Sequence, residues 1–358
     1  MADAAARASL TCATTQTGET FMSRSYLLAG SFAYDTVFTH PQAFGERIKP
    51  DAIDKLNVSL QLDSVTDAYG GCAGNIAYNA HLLGDSPLLM GHVGHDGERY
   101  LKRIAGWGLD CANIGVVEEK HTAHAWVLTD ADGNQLTSFY AGAMAEPFSP
   151  VYSGALPYSV YGKAPSLWHI APEDPANMVR LASTARQVGA KYFFDPGQAL
   201  PSLLNKEASH ISPLSFVLMD AQGIFLNEYE AELLCSEVID LKHLLAGRDQ
   251  FIVRTRGAKG VDLIRREGTV TLPPAMPDQV VDPTGCGDAF RAGFLHAYVR
   301  ERSLEECVAL GAVMGALAVG SEGGQNHQAS FDDIQERWAH YTQRVSSAGG
   351  ALPVLTSR

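Results

Sequence analysis

From residue 166 onward the chain alternates strand-like and helix-like segments, and this alternation constrains its fold more than any other feature. Five apolar runs (SLWHIA, KYFFD, GIFLN, QFIVRT and VDLIR) are separated by segments with helical spacing, such as 175–188 and 229–234. Such alternation is typical of a mostly parallel sheet covered by helices on both faces. It predicts an α/β fold whose ligands bind in the loops at the carboxyl ends of the strands.

The N-terminal half contains β-rich runs of a different kind. Two of them flank Asp130-Ala-Asp-Gly-Asn134, which predicts a hairpin. Hairpins in an otherwise α/β chain indicate a small sheet that stands apart from the main one. We therefore predict a small β-sheet lid formed by about 34–69 and 113–143, within one domain that spans 22–345.

Both ends of the chain differ from the region between them. Residues 1–21 are rich in Ala and Thr and lack a basic start followed by a long apolar stretch, so they do not resemble a secretory signal. Because Met22 directly precedes the first strand-like run, we expect 1–21 to be a disordered leader or a start-site extension. The Gly/Ser-rich residues 346–358 predict a flexible tail.

Charge and cysteine usage exclude several classes of protein. The 358 residues include 27 Lys and Arg against 40 Asp and Glu, a formal net charge of −13. Nucleic acids and anionic membrane surfaces require a positive partner, so we expect neither as a ligand. Six cysteines without short, even spacing argue against a disulfide framework or a zinc site. Reduced thiols and the lack of a long apolar run predict a cytoplasmic protein.

A Gly-rich turn that leads into a helix carries the strongest chemical signal. It reads Asp282-Pro-Thr-Gly-Cys-Gly-Asp288 and is followed by AFRAGFLHAYV. Free amides at a helix N-terminus, together with the helix dipole, bind anions such as phosphate. A carboxylate at Asp288 would repel that anion, but it is useful if it accepts a proton from an attacking hydroxyl group. The turn alone fits a helix-capping aspartate equally well.

Three further motifs accompany this turn, and together they are similar to a known family. The segment 282–294 resembles the C-terminal signature of the PfkB, or ribokinase-like, family of carbohydrate and nucleoside kinases. In family order, 70–75 (GGCAGN) resembles its Gly-Gly signature, 227–230 (NEYE) its Asn-x-x-Glu motif and 255–260 (TRGAKG) its Thr-x-Gly-x-x-Gly strand end. The resemblance implies a ribokinase-like fold with a β lid.

Within the family, the stretches 48–59, 132–146 and 323–327 are most similar to bacterial adenosine kinases. The resemblance therefore implies ATP-dependent phosphorylation of a nucleoside 5′-hydroxyl, with adenosine as the expected acceptor. One departure concerns Ala125 and Trp126, which stand where a Phe that closes on the base is expected.

The same resemblance implies roles at the reacting end of the site. Asp288 would be the general base, and the amides of Gly285, Cys286 and Gly287 would stabilise charge on the transferring phosphoryl group. Asn227 and Glu230 would hold Mg²⁺ through water, although their spacing also fits a helix capping box.

The remaining residues divide between the acceptor, the ATP and a cation. Asp35 would accept hydrogen bonds from the two ribose hydroxyls. The candidate nucleoside-binding residues are Ser31, Asp35, Gly70, Gly71, Asn75, Phe139 and Gln198. Those for ATP are Asn227, Thr255, Gly257, Gly260, Gly324, Asn326 and His327, and those for a K⁺ ion are Asp282 and Thr284.

Several alternatives remain open at this point. A ribokinase- or fructokinase-like sugar kinase, or a broad-specificity nucleoside kinase, would use the same chemistry on a different acceptor. A non-catalytic nucleoside-binding protein would keep the fold without a use for Asp288. A dinucleotide-dependent dehydrogenase is disfavoured because GSFAYD, and not GxGxxG, follows the first strand. We also expect a homodimer formed through the lid, since an exposed apolar sheet face requires covering.

Overall fold

The computed structural model describes residues 26–48, 57–148, 165–204, 213–218, 220–236 and 240–347. The predicted leader, nearly all of the predicted tail, and 49–56 of the stretch 48–59 lie outside these ranges. The strands of the described residues are β1 Leu27–Ala29, β2 Ala33–Thr39, β3 Ser64–Gly70, β4 Leu88–Gly94, β5 Ile114–Val117, β6 Ala123–Thr129, β7 Gln135–Tyr140, β8 Leu167–Ile170, β9 Lys191–Phe194, β10 Gly223–Asn227, β11 Phe251–Thr255, β12 Val261–Ile264 and β13 Thr269–Leu272.

The α-helices of these same ranges cover most of the segments that connect the strands. They are α1 Phe44–Arg47, α2 Cys72–Leu82, α3 Glu98–Gly106, α4 Pro175–Val188, α5 Leu200–Leu204, α6 Pro213–Leu218, α7 Glu228–Cys235, α8 Cys286–Tyr298, α9 Leu304–Ala318 and α10 Phe331–Ser347. In these parts of the chain, no helix is both long and apolar enough to cross a membrane.

A large sheet of nine strands forms the centre of the protein. Its order is β13-β12-β11-β10-β9-β8-β1-β4-β5. The seven strands from β11 to β5 run parallel, and β12 and β13 add an antiparallel edge. The predicted mostly parallel α/β fold is therefore confirmed.

Alternating side chains of this sheet face two separate helix layers, as expected from the period of two in a strand. On one face, Phe193 and Phe225 pack with residues of α2, α3, α8, α9 and α10. On the other face, Phe194 and Ile224 pack with residues of α4, α5, α6 and α7. Because both faces are covered, the strands read as continuous apolar runs rather than as alternating ones.

A second, smaller sheet has the order β3-β2-β6-β7. β6 and β7 form the predicted hairpin, and the Asp130 carboxylate closes its turn by accepting hydrogen bonds from the amides of Asp132 and Asn134. β5 belongs to the large sheet, where it pairs with β4.

Strand register places the side chains of Asp35, Ala125 and Phe139 on one face of the small sheet. Asp35 on β2 lies opposite Ala125 on β6, and Ala125 lies opposite Phe139 on β7. Neighbouring residues in register point to the same face, so these three side chains form one row. The adjacent residues Tyr34 and Trp126 point to the other face.

Candidate active site

The N-terminus of α8 forms the centre of the candidate site, and one glycine determines its shape. Gly285 caps α8 in the left-handed conformation, with φ of 75°. A Cβ atom at this position would lie 2.5 Å from the Cα of Gly324, so the turn packs directly on the 323–327 segment. Both the backbone angle and the close approach require glycine here.

Asp282 fastens the turn to that segment. Its Oδ1 accepts from the amide of Thr284 at 2.9 Å, and its Oδ2 accepts from the amide of Gly323 at 2.8 Å. These bonds hold the pKa of Asp282 below its usual range, against the opposing effect of burial. The two proposed K⁺-binding residues, Asp282 and Thr284, are thus in contact.

The first amides of α8 differ in whether they have an acceptor. The amide of Cys286 donates to the carbonyl of Pro283 at 3.2 Å. Those of Gly285 and Gly287 have no acceptor among the described residues, as is usual for the first turn of a helix. Two of the three amides predicted to bind an anion are therefore available.

Aromatic packing fixes the position of α8 on the sheet. The ring of Phe294 lies 5.0 Å from that of Phe225 and 5.6 Å from that of Phe251. Phe294 and the strand residues are fully buried, so this contact anchors the helix less than two turns after Asp288.

Asp288 lies in the first turn of α8 and is half-buried. Its Oδ2 accepts a hydrogen bond from Nδ2 of Asn75 at 2.8 Å, and no cation of the described ranges forms an ion pair with it. Desolvation raises its pKa to about 6, although the Asn75 hydrogen bond and the charge of Arg291 oppose the shift. At neutral pH Asp288 is therefore an ionised carboxylate that can accept a proton.

Asp35 supplies a second carboxylate, from the small sheet. No hydrogen bond from the described part of the chain reaches it, and burial raises its pKa to about 6. A Cβ atom at Gly70 would overlap the Asp35 carboxylate, so glycine at this position keeps the carboxylate accessible. An unpartnered carboxylate of this kind can accept hydrogen bonds from a ligand.

Two of the other predicted acceptor-binding residues lie at the start of α2. The hydroxyl of Ser31 accepts from the amide of Cys72 at 3.0 Å, so its oxygen already caps the helix. Gly71 is the N-cap residue, with φ of 84°, and its amide has no acceptor among the residues described.

The two residues predicted to face the base are exposed. Phe139 is 51% exposed on β7. Gln198 lies in a short 3-10 helix, Gly197–Ala199, directly after β9. Both side chains are therefore available for contact with a ligand.

Asn227 and Glu230 form a complete capping box at the start of α7. The Asn227 side chain accepts from the amide of Glu230, and the Glu230 carboxylate accepts from both the amide and Nδ2 of Asn227, each at 2.8 Å. Burial and the nearby charge of Asp195 raise the pKa of Glu230. No cluster of three or more metal-ligating side chains occurs in the described ranges. The amide and carboxylate oxygens of this pair still suit Mg²⁺ that keeps its own waters.

A cavity of about 380 Å³ opens beside the first turn of α8. Three of the residues predicted to bind ATP line it, namely Thr255, Gly257 and Gly260, and Cys286 and Gly287 border it. Its volume lies in the range of small-molecule sites.

The other predicted ATP-binding residues near the C-terminus do not line this cavity. Gly324 is buried between Gly285 and Asn75. The Nδ2 of Asn326 donates to the carbonyl of Glu322 at 2.8 Å. His327 is buried with its Nε2 2.8 Å from Oδ1 of Asn79, and burial lowers its pKa to about 4.

Sequence reasoning missed Glu173, which follows β8 at the same edge of the sheet. The side chain is buried, and neither carboxylate oxygen forms a hydrogen bond of good geometry with the described residues, although polar groups of Asp174 and Asn177 lie near it. Burial raises the pKa of Glu173 to about 8, so the carboxyl group is mostly protonated at neutral pH. The Pro172-Glu173-Asp174 segment offers no local signal that distinguishes it from a surface loop.

The chain is similar to known kinases in both sequence and fold. The model of the pfkB family of carbohydrate kinases matches residues 34–330. A nucleoside kinase of Methanocaldococcus jannaschii is 33% identical over 290 residues, which cover 78% of this chain and 89% of the relative. A cytidine kinase of Thermococcus kodakarensis is 28% identical over 68% of this chain and 84% of its own length. The structure of a Burkholderia thailandensis nucleoside kinase in complex with inosine superposes with a TM-score of 0.73 at 33% identity, over 88% of this chain and 98% of that one.

Proposed function

Because the chain belongs to the pfkB family of carbohydrate kinases, we propose that it phosphorylates the 5′-hydroxyl of a nucleoside with ATP, and adenosine first among nucleosides. Family membership makes it an enzyme that transfers a phosphoryl group to a hydroxyl group of a nucleoside or a sugar. The choice of acceptor and the roles of individual residues are our proposal.

One observation carries the mechanism: an ionised carboxylate, Asp288, lies in the same helix turn as unpaired amides. Asp288 accepts the proton of the 5′-hydroxyl as that oxygen forms a bond to the γ-phosphorus. The bond between the γ-phosphorus and the β,γ-bridging oxygen breaks, and ADP leaves. The amides of Gly285 and Gly287, with Cys286 between them, stabilise negative charge on the transferring group. Because the turn is rigid, much of the catalytic effect comes from positioning.

The row on the small sheet favours a nucleoside over a bare sugar. Asp35 and Phe139 are separated by one strand, β6, so their backbones lie about 10 Å apart, two strand spacings. Asp35 accepts from the ribose hydroxyls, assisted by Asn75 and the Gly70-Gly71 turn, and the ring of Phe139 stacks on the base. The small side chain of Ala125 leaves space between them. Gln198, which is exposed after β9, is the second residue proposed to contact the base.

ATP binds along the cavity beside α8, where Thr255, Gly257 and Gly260 contact its phosphates. Asn227 and Glu230 hold Mg²⁺ through water, and the ion, when bound, neutralises phosphate charge. Gly324 shapes the ATP-binding end of the site because it packs against Gly285. Asn326 and His327 stabilise the 323–327 segment, to which Gly324 belongs. Asp282 and Thr284 contribute oxygens to a K⁺ site.

The small sheet acts as a lid that excludes water once the nucleoside is bound. Its face opposite Asp35 exposes Val65, Trp126, Leu136 and Tyr140 by 38–59%. We propose that a second copy covers this face in a cytoplasmic homodimer.

An acceptor panel tests the proposed function. Turnover with Mg²⁺-ATP is measured for adenosine, inosine, guanosine, cytidine, ribose and fructose, with Asp288→Asn as the catalytic control. We expect adenosine to have the highest kcat/KM, and the Asn variant to lose about 10²–10⁴-fold in kcat while it still binds adenosine.

Other outcomes of the panel identify the alternatives. Saturation at micromolar ribose without turnover of adenosine indicates a sugar kinase. Similar kcat/KM for all nucleosides indicates broad specificity. Binding of adenosine without any ADP formation indicates a non-catalytic nucleoside-binding protein and contradicts the proposal.

A further inference from the structure

A line of side-chain hydrogen bonds connects α3 to the carboxylate of Asp288. Arg103 donates through Nε to Oε1 of Gln325 at 3.2 Å and through Nη2 to the Gln325 carbonyl at 3.0 Å. Nε2 of Gln325 lies 3.0 Å from Oδ1 of Asn75. Nδ2 of Asn75 in turn lies 2.8 Å from Oδ2 of Asp288. Four residues from four separate parts of the sequence therefore form one continuous chain of contacts.

The chemistry of its first member determines the direction of every bond in this line. A guanidinium group has only donors, so the oxygen of the Gln325 amide must face Arg103 and the NH₂ group must face Asn75. Asn75 then has to present its oxygen to Gln325, and its NH₂ group is left facing Asp288. The hydrogen-bond network therefore determines the orientation of both amides.

A second contact of Gln325 gives the same orientation independently. Its Nε2 lies 2.7 Å from the hydroxyl of Tyr100, which donates to the carbonyl of Gly70 at 2.6 Å. A carbonyl only accepts, so the hydroxyl hydrogen of Tyr100 is committed to Gly70 and its oxygen must accept from Gln325. Both hydrogens of the Gln325 NH₂ group are therefore used.

Burial makes the reversed orientation costly. Gln325 is 2% exposed, Asn75 is 5% exposed and Tyr100 is fully buried. Rotating either amide by 180° would place donors opposite donors and acceptors opposite acceptors. Buried polar groups would then be left unpaired, away from water.

We propose that Gln325, held by Arg103, is a positioning residue that keeps the Asn75 amide donating to Asp288. The proposal rests on the proposed phosphotransfer, in which Asp288 must be ionised to accept the 5′-hydroxyl proton. With the amide reversed, the Asn75 oxygen would face the carboxylate, and the repulsion would favour the protonated and inactive form. The other titratable or charged groups that face Asp288 are Arg291, Asp195, Cys72 and Cys286.

The test is Gln325→Glu, which keeps the shape of the side chain and removes its donors. The carboxylate introduced by this substitution would accept from both Arg103 and Asn75, so the Asn75 oxygen would turn to Asp288. We expect the acid limb of the kcat–pH profile to move up by about one pH unit, which lowers turnover at pH 6 about fivefold. Above pH 8 kcat should return to within about twofold of wild type, and KM for the nucleoside should change little.

Two variants serve as matched controls. Gln328→Glu places the same substitution on an exposed residue of the same segment. Arg99→Met removes a guanidinium that lies 3.9 Å from the Tyr34 ring centre, and the Arg103 guanidinium lies 4.4 Å from the Tyr69 ring centre in a similar way. Unlike Arg103, Arg99 has no contact with Gln325. Both should keep the wild-type profile, whereas Arg103→Met should shift the acid limb in the same direction as Gln325→Glu.

Measurement of the Asp288 pKa by carbon NMR, assigned with Asp288→Asn, gives a readout that does not need turnover. If wild type has no kinase activity, the proposed function fails, and a raised Asp288 pKa in Gln325→Glu still supports the positioning role. An unchanged pKa and acid limb, or an equal loss of kcat at every pH, overturns the inference. Arg103→Met provides the same test if Gln325→Glu does not fold.

Discussion

Arg291 and Asp195 form a bidentate ion pair beneath the first turn of α8. Nε lies 2.7 Å from Oδ2 and Nη2 lies 3.3 Å from Oδ1, and both side chains are buried. Arg291 also donates from Nη1 to the carbonyl of Gly287 at 3.2 Å. The pair thus connects the end of β9 to the turn that carries Asp288, and its Arg is committed to structure rather than to a phosphate.

We expect Arg291→Met to lower the free energy of unfolding by about 3–5 kcal/mol, because it leaves the buried Asp195 carboxylate without a partner. Urea denaturation measures the change. The matched control, Arg337→Met, breaks a pair with the exposed Asp278 and should cost far less stability, because solvent screens that pair. Equal effects of the two substitutions would contradict the expectation.

Two carboxylates with raised pKa values should give the enzyme a steep acid limb. Asp35 and Asp288 each have a pKa of about 6, in both cases because burial disfavours the charged form. In the proposed mechanism, nucleoside binding requires ionised Asp35 and proton transfer requires ionised Asp288. We therefore expect kcat/KM for the nucleoside to fall below about pH 6 with a limiting slope near 2. In Asp35→Asn the residual activity should show a slope near 1, and a slope of 2 in that variant would argue against Asp35 as the second group.

The alternation of strands and helices was sufficient to predict the large parallel sheet, because a buried strand needs a run of apolar residues within a short stretch. The turn at 282–288 likewise predicts the Gly-rich start of α8 from contiguous residues. These features depend on local composition, which a sequence displays directly.

The contacts that support the site could not be predicted in this way. Gln325 lies 222 residues from Arg103 and 250 residues from Asn75, and it meets both only because three elements converge at one edge of the sheet. The pairing of Arg291 with Asp195 spans 96 residues. Their residue types carry no signal of a partner, so their roles follow only from the assembled fold.

Phe139→Ala should weaken nucleoside binding more than sugar binding. Loss of a stacked ring costs about 1–3 kcal/mol per base, so KM for adenosine should rise about 5- to 150-fold while KM for ribose stays constant. Steady-state kinetics with both acceptors measures the difference. Tyr140→Ala, which removes the neighbouring ring on the other face of β7, should leave both KM values unchanged. A similar rise for ribose would show that Phe139 does not contact the base.

Gly285→Ala should impair both folding and turnover. The left-handed φ of 75° strains any side chain, and the new methyl group would press on Gly324, with 2.5 Å between Cβ and Cα. We expect kcat to fall at least about tenfold, because the amides of the turn would be displaced. In Gly106→Ala, at the end of α3, the methyl group meets open space. That control should be neutral or stabilise the protein by up to about 1 kcal/mol.

The buried Glu173 should make stability depend on pH. Its pKa rises from an ordinary value of 4.5 to about 8 on folding, so the native state binds a proton that the unfolded chain releases between these values. The free energy of unfolding therefore contains a contribution that falls as pH rises from about 4.5 to 8. Glu173→Gln lacks this contribution, so its stability relative to wild type should increase from pH 5 to pH 8 in urea titrations. A constant difference across that range would contradict the raised pKa.

The walls of the 380 Å³ cavity consist almost wholly of Ala, Val, Pro, Gly and Phe residues, including Ala312, Gly315, Ala316 and Val319. Among the described residues that line it, Thr255 carries the only hydroxyl group. Side chains of this kind have nothing to offer the ring nitrogens or exocyclic groups by which one nucleotide differs from another. Any discrimination between nucleotides in this cavity must therefore come from the shape of the cavity and from backbone groups. If ATP binds in this cavity as proposed, we expect GTP and ITP to replace it as phosphoryl donor with little loss, so that the enzyme's selectivity is concentrated on the acceptor.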